Sequence, residues 1–271
     1  MHVRAPAVAG SFYEGSASGL RSQLDRCLAA SEPVSEKESF VAAVVPHAGL
    51  MYSGAVAGAL YGRLALPRRF VIVCPNHTGE GAAAAIDLEG AWRTPLGEAP
   101  VDAELAAAIR TEAPFVEDDR AAHAREHSLE VQLPFLQLLV PEFRFVPLCV
   151  ALRSFERVSE LGRAIARAIA RAEEPIAILA SSDLNHYESQ PVTLRKDMAA
   201  IDRILALDAA GLWETVRREE ISMCGIVPTT AMLVAANELG ATSATLVRHA
   251  TSGDVNGDYG AVVGYAAIAV R

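Results

Sequence analysis

Short apolar runs alternate along the chain with longer amphipathic stretches. Val41–Val45, Phe70–Cys74 and Ile176–Ala180 each hold five consecutive apolar residues, and RFVPLCVAL (144–152) is a fourth such run. Runs of this length read as strands buried on both faces of a sheet. Between them the period changes to that of a helix. The clearest case is 154–174, which places Val158, Leu161, Ile165 and Ile169 on one face. Helices are also predicted at about Ser18–Ala30, at Gly54–Leu66 (rich in Ala and Gly, suited to close packing), and at 101–112. Three more are expected at about 193–207, 208–219 and 229–239. AHAREHSLEVQLPFLQLL (122–139) has an apolar helical face, and Pro134 inside it predicts either a kink or a late helix start.

The remaining segments complete the outline. Residues 1–15 read as an ordered, non-helical arm anchored by Phe12 and Tyr13, and 31–39 as a polar loop. Residues 82–97 suggest a strand or hairpin outside the helix-strand rhythm, and the acidic 116–119 a solvated loop. Two closing strands, about 244–249 and 261–270, flank the turn-rich SGDVNGDYG. The pattern predicts an α/β fold, a three-layer sandwich with a mixed central sheet flanked by helices, as one domain over 1–271.

Chemistry gathers where the buried runs end. Val45 is followed by Pro46 and His47, Cys74 by Pro75, Asn76 and His77, and Ala180 by Ser181, Ser182, Asp183 and, shortly after, His186. Open α/β sheets bind ligands at the carboxyl ends of their strands. Three strands therefore deliver a histidine to one rim, and His127, in REHS, sits at a further helix approach. Any one of these four could be an ordinary hydrogen-bonded imidazole, but as a set they point to a site. Neutral imidazoles with a thiolate or carboxylate form the common ligand set of borderline metals. No HExxH-type spacing is present, so the pattern leaves the ligand set open. His2, His123 and His249 read as incidental or structural.

Composition narrows the partners. A net charge of −9 with no Lys/Arg-rich run excludes a nucleic-acid backbone as the expected partner. No apolar run reaches membrane-spanning length, and the N-terminus does not read as a secretory signal. Four cysteines far apart, without CxxC spacing, suggest a reduced cytoplasmic protein. Cys27, Cys74 and Cys149 fit apolar faces. Cys224, in MCGIVP, enters a helix, where the helix dipole favours a thiolate; a buried loop thiol is the equal alternative. A Cys-His nucleophile is a further possibility on the same residues.

The motifs RAPAVAGSFY, VVPHAGLMYSG, CPNHTG, EHSLEVQLPFLQ, SSDLNHY, MCGIVP and HATSGDVNGDYGAVVGYAA, in this order, resemble the Memo family across essentially the whole chain. That family is similar to the type III extradiol ring-cleaving dioxygenases. The resemblance implies that His47, His77 and Cys224 are metal ligands, with cysteine where the dioxygenases carry glutamate. It implies that His186 matches the acid/base histidine and His127 a second pocket histidine. It further implies iron- or copper-dependent redox chemistry and association with AMMECR-type and radical-SAM proteins. A thiolate in place of a carboxylate shifts the metal preference toward softer ions without excluding iron.

These readings combine into one expectation. A single metal ion, iron or copper rather than zinc, is held by His47, His77 and Cys224. His186, oriented by Asp183, and His127 do the acid/base work, and Asn76 and Tyr52 line the pocket for a small-molecule or peptide substrate. Two alternatives use the same residues: a non-catalytic cleft that binds a peptide or partner, and a metal- or thiol-dependent hydrolase.

Overall fold

The computed structural model describes residues 2–31 and 34–271. Glu32 and Pro33, part of the expected polar loop, lie outside the described residues. In chain order the first elements are β1 (Val3–Arg4), α1 (Ala17–Leu28), β2 (Ala42–Val45), α2 (Leu50–Tyr61) and β3 (Arg69–Pro75). Then follow β4 (Ala84–Ile86), β5 (Ala91–Thr94), β6 (Gly97–Pro100), α3 (Ala103–Glu112), β7 (Glu117–Asp118), α4 (Ala121–Ala124) and α5 (Leu133–Leu139). The second half comprises β8 (Arg144–Val150), α6 (Phe155–Ala170), β9 (Ile176–Ser181), β10 (His186–Glu188), α7 (Gln190–Leu205), α8 (Ala209–Arg218) and α9 (Ile226–Glu238). It closes with β11 (Ala244–Thr251), α10 (Gly253–Asn256) and β12 (Val262–Val270). No helix among the described residues is long and apolar enough to cross a membrane.

The main sheet runs β10-β12-β2-β9-β3-β8-β4-β7, with β11 on β12. Its centre, β2-β9-β3-β8, is parallel, while β12 and β4 run antiparallel to their inner neighbours. The sheet is therefore mixed, as the pattern predicts. Alternate residues of the central strands feed two separate cores. Val44, Val71, Val73 and Ile178 meet α3, α6, α8 and α9, whereas Val45, Phe70, Ile72 and Leu179 meet α1, α2 and α5. That two-sided burial is why these strands are continuously apolar.

Two local outcomes differ from the pattern, and a third takes one of its two alternatives. α2 starts at Leu50, so PHAGLMYSG is mostly helix rather than an entry loop. The acidic 117–118 pair forms a short exposed strand on β4. Residues 122–139 split into α4, a connecting segment and α5, with Pro134 in α5's first turn, where its missing N–H costs nothing. The Ala/Gly richness of α2 does reflect close packing, since a Cβ on Gly58 would lie 2.1 Å from the Cys27 carbonyl oxygen of α1.

The N-terminal arm is held by one buried carboxylate. Glu130, fully buried, accepts from the Arg4 guanidinium at 2.6 Å, the Tyr13 hydroxyl at 2.6 Å, and the backbone N–H groups of Ala7 and Val8. Burial, reinforced by Glu130, raises the Tyr13 phenol far above its ordinary value, so it stays a donor. Two stability predictions follow from this packing. Glu130→Ala strands the buried Arg4 charge and costs about 3–5 kcal/mol. Gly58→Ala drives a methyl into α1 backbone and costs about 1–3 kcal/mol. Urea unfolding measures both, and a loss below about 0.5 kcal/mol for either contradicts the corresponding packing account.

Candidate metal centre

The neighbouring strands β2, β9 and β3 end at a common rim, and a cleft of about 620 Å³ opens there. His47, His77, His127, Asp183, His186, Cys224 and Tyr52 all line it. The rings of His47, His77 and His127 lie with centroids 4.8–5.6 Å apart. One ligand atom from each of His47, His77 and Cys224 falls within 4.8 Å of the others. His77, Glu126 and His127 make a second group of the same compactness.

Hydrogen bonding fixes which ring nitrogen of each histidine is available. The Ser181 hydroxyl sits 2.6 Å from the Ser128 carbonyl oxygen and spends its only proton there. It must then accept from both the Gln132 amide and His47 Nδ1, at 3.1 and 2.9 Å. His47 is accordingly the Nδ1–H tautomer, and its Nε2 lone pair faces the Cys224 sulfur at 3.3 Å. His77 Nδ1 lies 2.9 Å from a Glu126 carboxylate oxygen, which can only accept, so its Nε2 is the free atom as well.

Glu126 is the residue that sequence reasoning missed. Its carboxylate also accepts the backbone N–H of His77 at 2.6 Å and both the N–H and hydroxyl of Ser128. Burial alone would raise its pKa, but hydrogen bonds from His77 and Ser128 outweigh that and hold it at about 2. With its oxygens so committed, Glu126 acts as an orienting carboxylate for His77, in the way carboxylates commonly support metal-bound histidines. The only signal in the sequence was its place beside His127.

Electrostatics departs from expectation at Cys224. It precedes the Gly225 that begins α9, yet its thiol is pushed well above the usual range by burial and the nearby Asp183 charge. The helix terminus therefore does not suffice to make a thiolate. His47 is lowered well below the ordinary histidine value by burial and by His127 and His77, so it is neutral at pH 7. Burial also lowers His127, which is packed between the His77 ring and Phe12.

Two expected roles are reassigned. Asp183 does not orient His186: its Oδ1 accepts the N–H groups of His47 and Ala48, and His186 Nδ1 instead donates to the Ser222 carbonyl at 2.9 Å. His186 Nε2 is thus the atom left free for proton exchange. Asn76 does not line the cleft either. Its side chain bonds Thr78, Gly79 and Glu80, closing the turn that follows β3. Away from the cleft, His123 is buried against Trp92, and His249 pairs with Asp197 at 2.8 Å, a satisfied imidazole as expected.

The donor set suits a metal. Bond lengths of about 2.0 Å to nitrogen and 2.3 Å to sulfur, at tetrahedral angles, separate two such donors by about 3.5 Å. The 3.3 Å between His47 Nε2 and Cys224 Sγ is close to that. Imidazole Nε2 atoms left free on both rings, a thiol that a cation can deprotonate, and supporting partners on the far side of both rings complete the fit.

Comparison with known proteins agrees with the motif order. Residues 4–269 match the family profile described as Memo-like protein. A MEMO1 family protein of Methanopyrus kandleri is 44% identical over 279 residues, covering 99% of each chain. Another, from Pyrobaculum aerophilum, is 46% identical over 278 residues, again covering 99% of each. An uncharacterized protein from Escherichia coli K12 shares the fold at a TM-score of 0.57 and 16% identity, over 85% of this chain and 99% of that one. This chain belongs to the Memo family.

Proposed function

We propose that this protein is a metal-dependent redox enzyme whose metal, iron or copper, is held by His47, His77 and Cys224. The observation that carries the reading is the convergence of one ligand atom each from His47, His77 and Cys224 within 4.8 Å of one another in an open cleft, with the Nδ1 atom of both rings already engaged by Ser181 and Glu126. Three protein donors on one side leave positions free on the cleft side, the arrangement of catalytic rather than structural sites. A bound iron or copper would supply one-electron redox chemistry there. The redox assignment, as against hydrolysis, rests on the resemblance in motif order to the Memo family.

The chain's own groups have definable tasks. His186, half-buried at the cleft wall with Nδ1–H committed to Ser222, takes or returns a proton at Nε2. Phe12, Tyr52, Tyr187 and Tyr265 give the cleft aromatic walls that hold an organic substrate and displace water. Glu126 and Ser181 keep His77 and His47 aimed at the metal position.

Elemental analysis of protein purified without added metal or chelator tests the ligand set. About one iron or copper per chain is expected in the wild type, none in Cys224→Ala or His47→Ala, and full content in His186→Gln. Failure of the wild type to hold metal even after anaerobic reconstitution sinks the reading. Zinc alone, with hydrolysis and no oxygen uptake in a substrate screen, would favour the hydrolase.

Metal affinity should also depend on pH in a defined direction. Because burial and Asp183 keep the Cys224 thiol protonated and His47 is already neutral, the proton displaced by the metal is that of Cys224. Affinity then rises about tenfold per pH unit between about pH 7 and 8.5. Titration calorimetry in buffers of different ionisation enthalpy reads one proton released per metal. A pH-independent affinity in that window contradicts thiolate ligation.

A further inference from the structure

We propose that Asn185 is a positioning residue that locks the acid/base side of the cleft, His186, to the thiol side, Cys224. The thiol half of this inference rests on the metal reading above; the His186 half does not. Asn185 is fully buried between β9 and β10, and all of its side-chain bonding capacity is used locally. Its Oδ1 accepts from the backbone N–H and the hydroxyl of Ser222, both at 3.1 Å. Its Nδ2 donates to the Glu188 carboxylate at 2.8 Å and to the Thr193 hydroxyl at 3.2 Å. The amide cannot be flipped, because its NH2 would then face the Ser222 N–H.

The bonds to Ser222 and Glu188 end on the two segments that carry site groups, and the bond to Thr193 ties the amide to α7. Ser222 presents its carbonyl to His186 Nδ1 and its hydroxyl to the His186 N–H at 2.8 Å, and Cys224 follows two residues later. Ser222 is exposed, so the loop it belongs to is tethered at this point by hydrogen bonds rather than by burial. On the other side, Glu188 closes the turn through Tyr187, which sits in the left-handed region at φ 61°. A tyrosine persists there only when its surroundings over-determine the backbone. Asn185 and Lys196, both bonded to Glu188, supply that constraint, and it holds the His186 backbone in place. One amide therefore sets the tautomer of the acid/base histidine and the position of the loop that bears the thiol.

The test reads tautomer and ligation rather than stability. In the metal-free protein, long-range proton–nitrogen spectra should show His186 as a single Nδ1–H tautomer, and Asn185→Ala should show a mixture of both. Asn185→Asp combined with Glu188→Gln, which keeps the two acceptor bonds to Ser222 and lets the amide at 188 donate back to 185, should restore the single tautomer. With Co2+ as the probe, Asn185→Ala should shift the thiolate-to-cobalt band and weaken binding about 10- to 100-fold. Gly58→Ala, destabilised far from the cleft, should change neither signal. A folded Asn185→Ala that keeps the wild-type tautomer overturns the proposal. If that variant does not fold, the Asn185→Asp, Glu188→Gln pair decides, with a mixed tautomer overturning it and a single tautomer supporting it. Should wild-type protein fail to bind Co2+ at all, the metal reading fails while the tautomer result still stands or falls by itself.

Discussion

The parallel register of β2, β9 and β3 is the constraint on which the site depends. Val45 is paired with Ser181, so the residues just beyond each strand end meet at one level. That pairing sets the Ser181 hydroxyl under the His47 ring and lets Asp183 receive the His47 N–H. A slip of one residue would turn Ser181 to the other face of the sheet and remove the acceptor that fixes the His47 tautomer. The register is guarded by burial on both faces, because Ala42–Val45, Phe70–Cys74 and Ile176–Ala180 alternate between one core and the other. The same packing that stabilises the sheet therefore aims the His47 ring.

A second layer of control comes from the segment between α4 and α5. Glu126 and Glu130 lie four residues apart and both are fully buried, yet they face different tasks. Glu130 gathers donors from the N-terminal arm, and that arm brings Phe12 against His127 and caps α2 through the bond from Leu50 N–H to the Phe12 carbonyl. Glu126 instead gathers donors from the β3 end and orients His77. Arg4 bridges the two tasks, donating to the Glu130 carboxylate and to the Glu126 carbonyl. Arm, pocket wall and ligand are thus parts of one hydrogen-bonded assembly.

This division explains what could be read from the sequence. Strands buried on two faces leave a direct mark, an uninterrupted apolar run, and so the central sheet and the rim histidines at its ends were legible. So was the late start of α5, because Pro134 tolerates few helix positions. Glu126 and Glu130 were not legible, since an acidic residue in an amphipathic segment has the same appearance whether solvated or buried. Their partners lie far along the chain, at His77 in one case and Arg4 and Tyr13 in the other. Asn76 misled for the opposite reason: its bonds are local, and a side chain consumed by its own turn cannot also face a ligand. The choice at Cys224 between a thiolate and a buried loop thiol could not be read from the sequence, because burial is a property of the fold and here outweighs the helix terminus.

The protonated thiol has a consequence for how the site handles charge. Without a cation, the cleft holds a neutral Cys224 beside a neutral His47, its Sγ 3.3 Å from His47 Nε2 and 3.6 Å from the Asp183 carbonyl oxygen. Such a pair can remain partly buried at little electrostatic cost, whereas an unpaired thiolate beside Asp183 could not. A divalent cation replacing that proton adds two positive charges while one leaves, so the floor gains a single net charge in place of the two it would gain with neutral ligands alone. Asp183, whose Oδ2 lies 3.9 Å from His47 Nε2, is near enough to offset the remainder. On the proposed metal reading, cysteine at this position would confer more than softness toward the metal. It would let the same residues be stable when empty and nearly charge-balanced when filled, with the histidine orientations already set by Ser181 and Glu126.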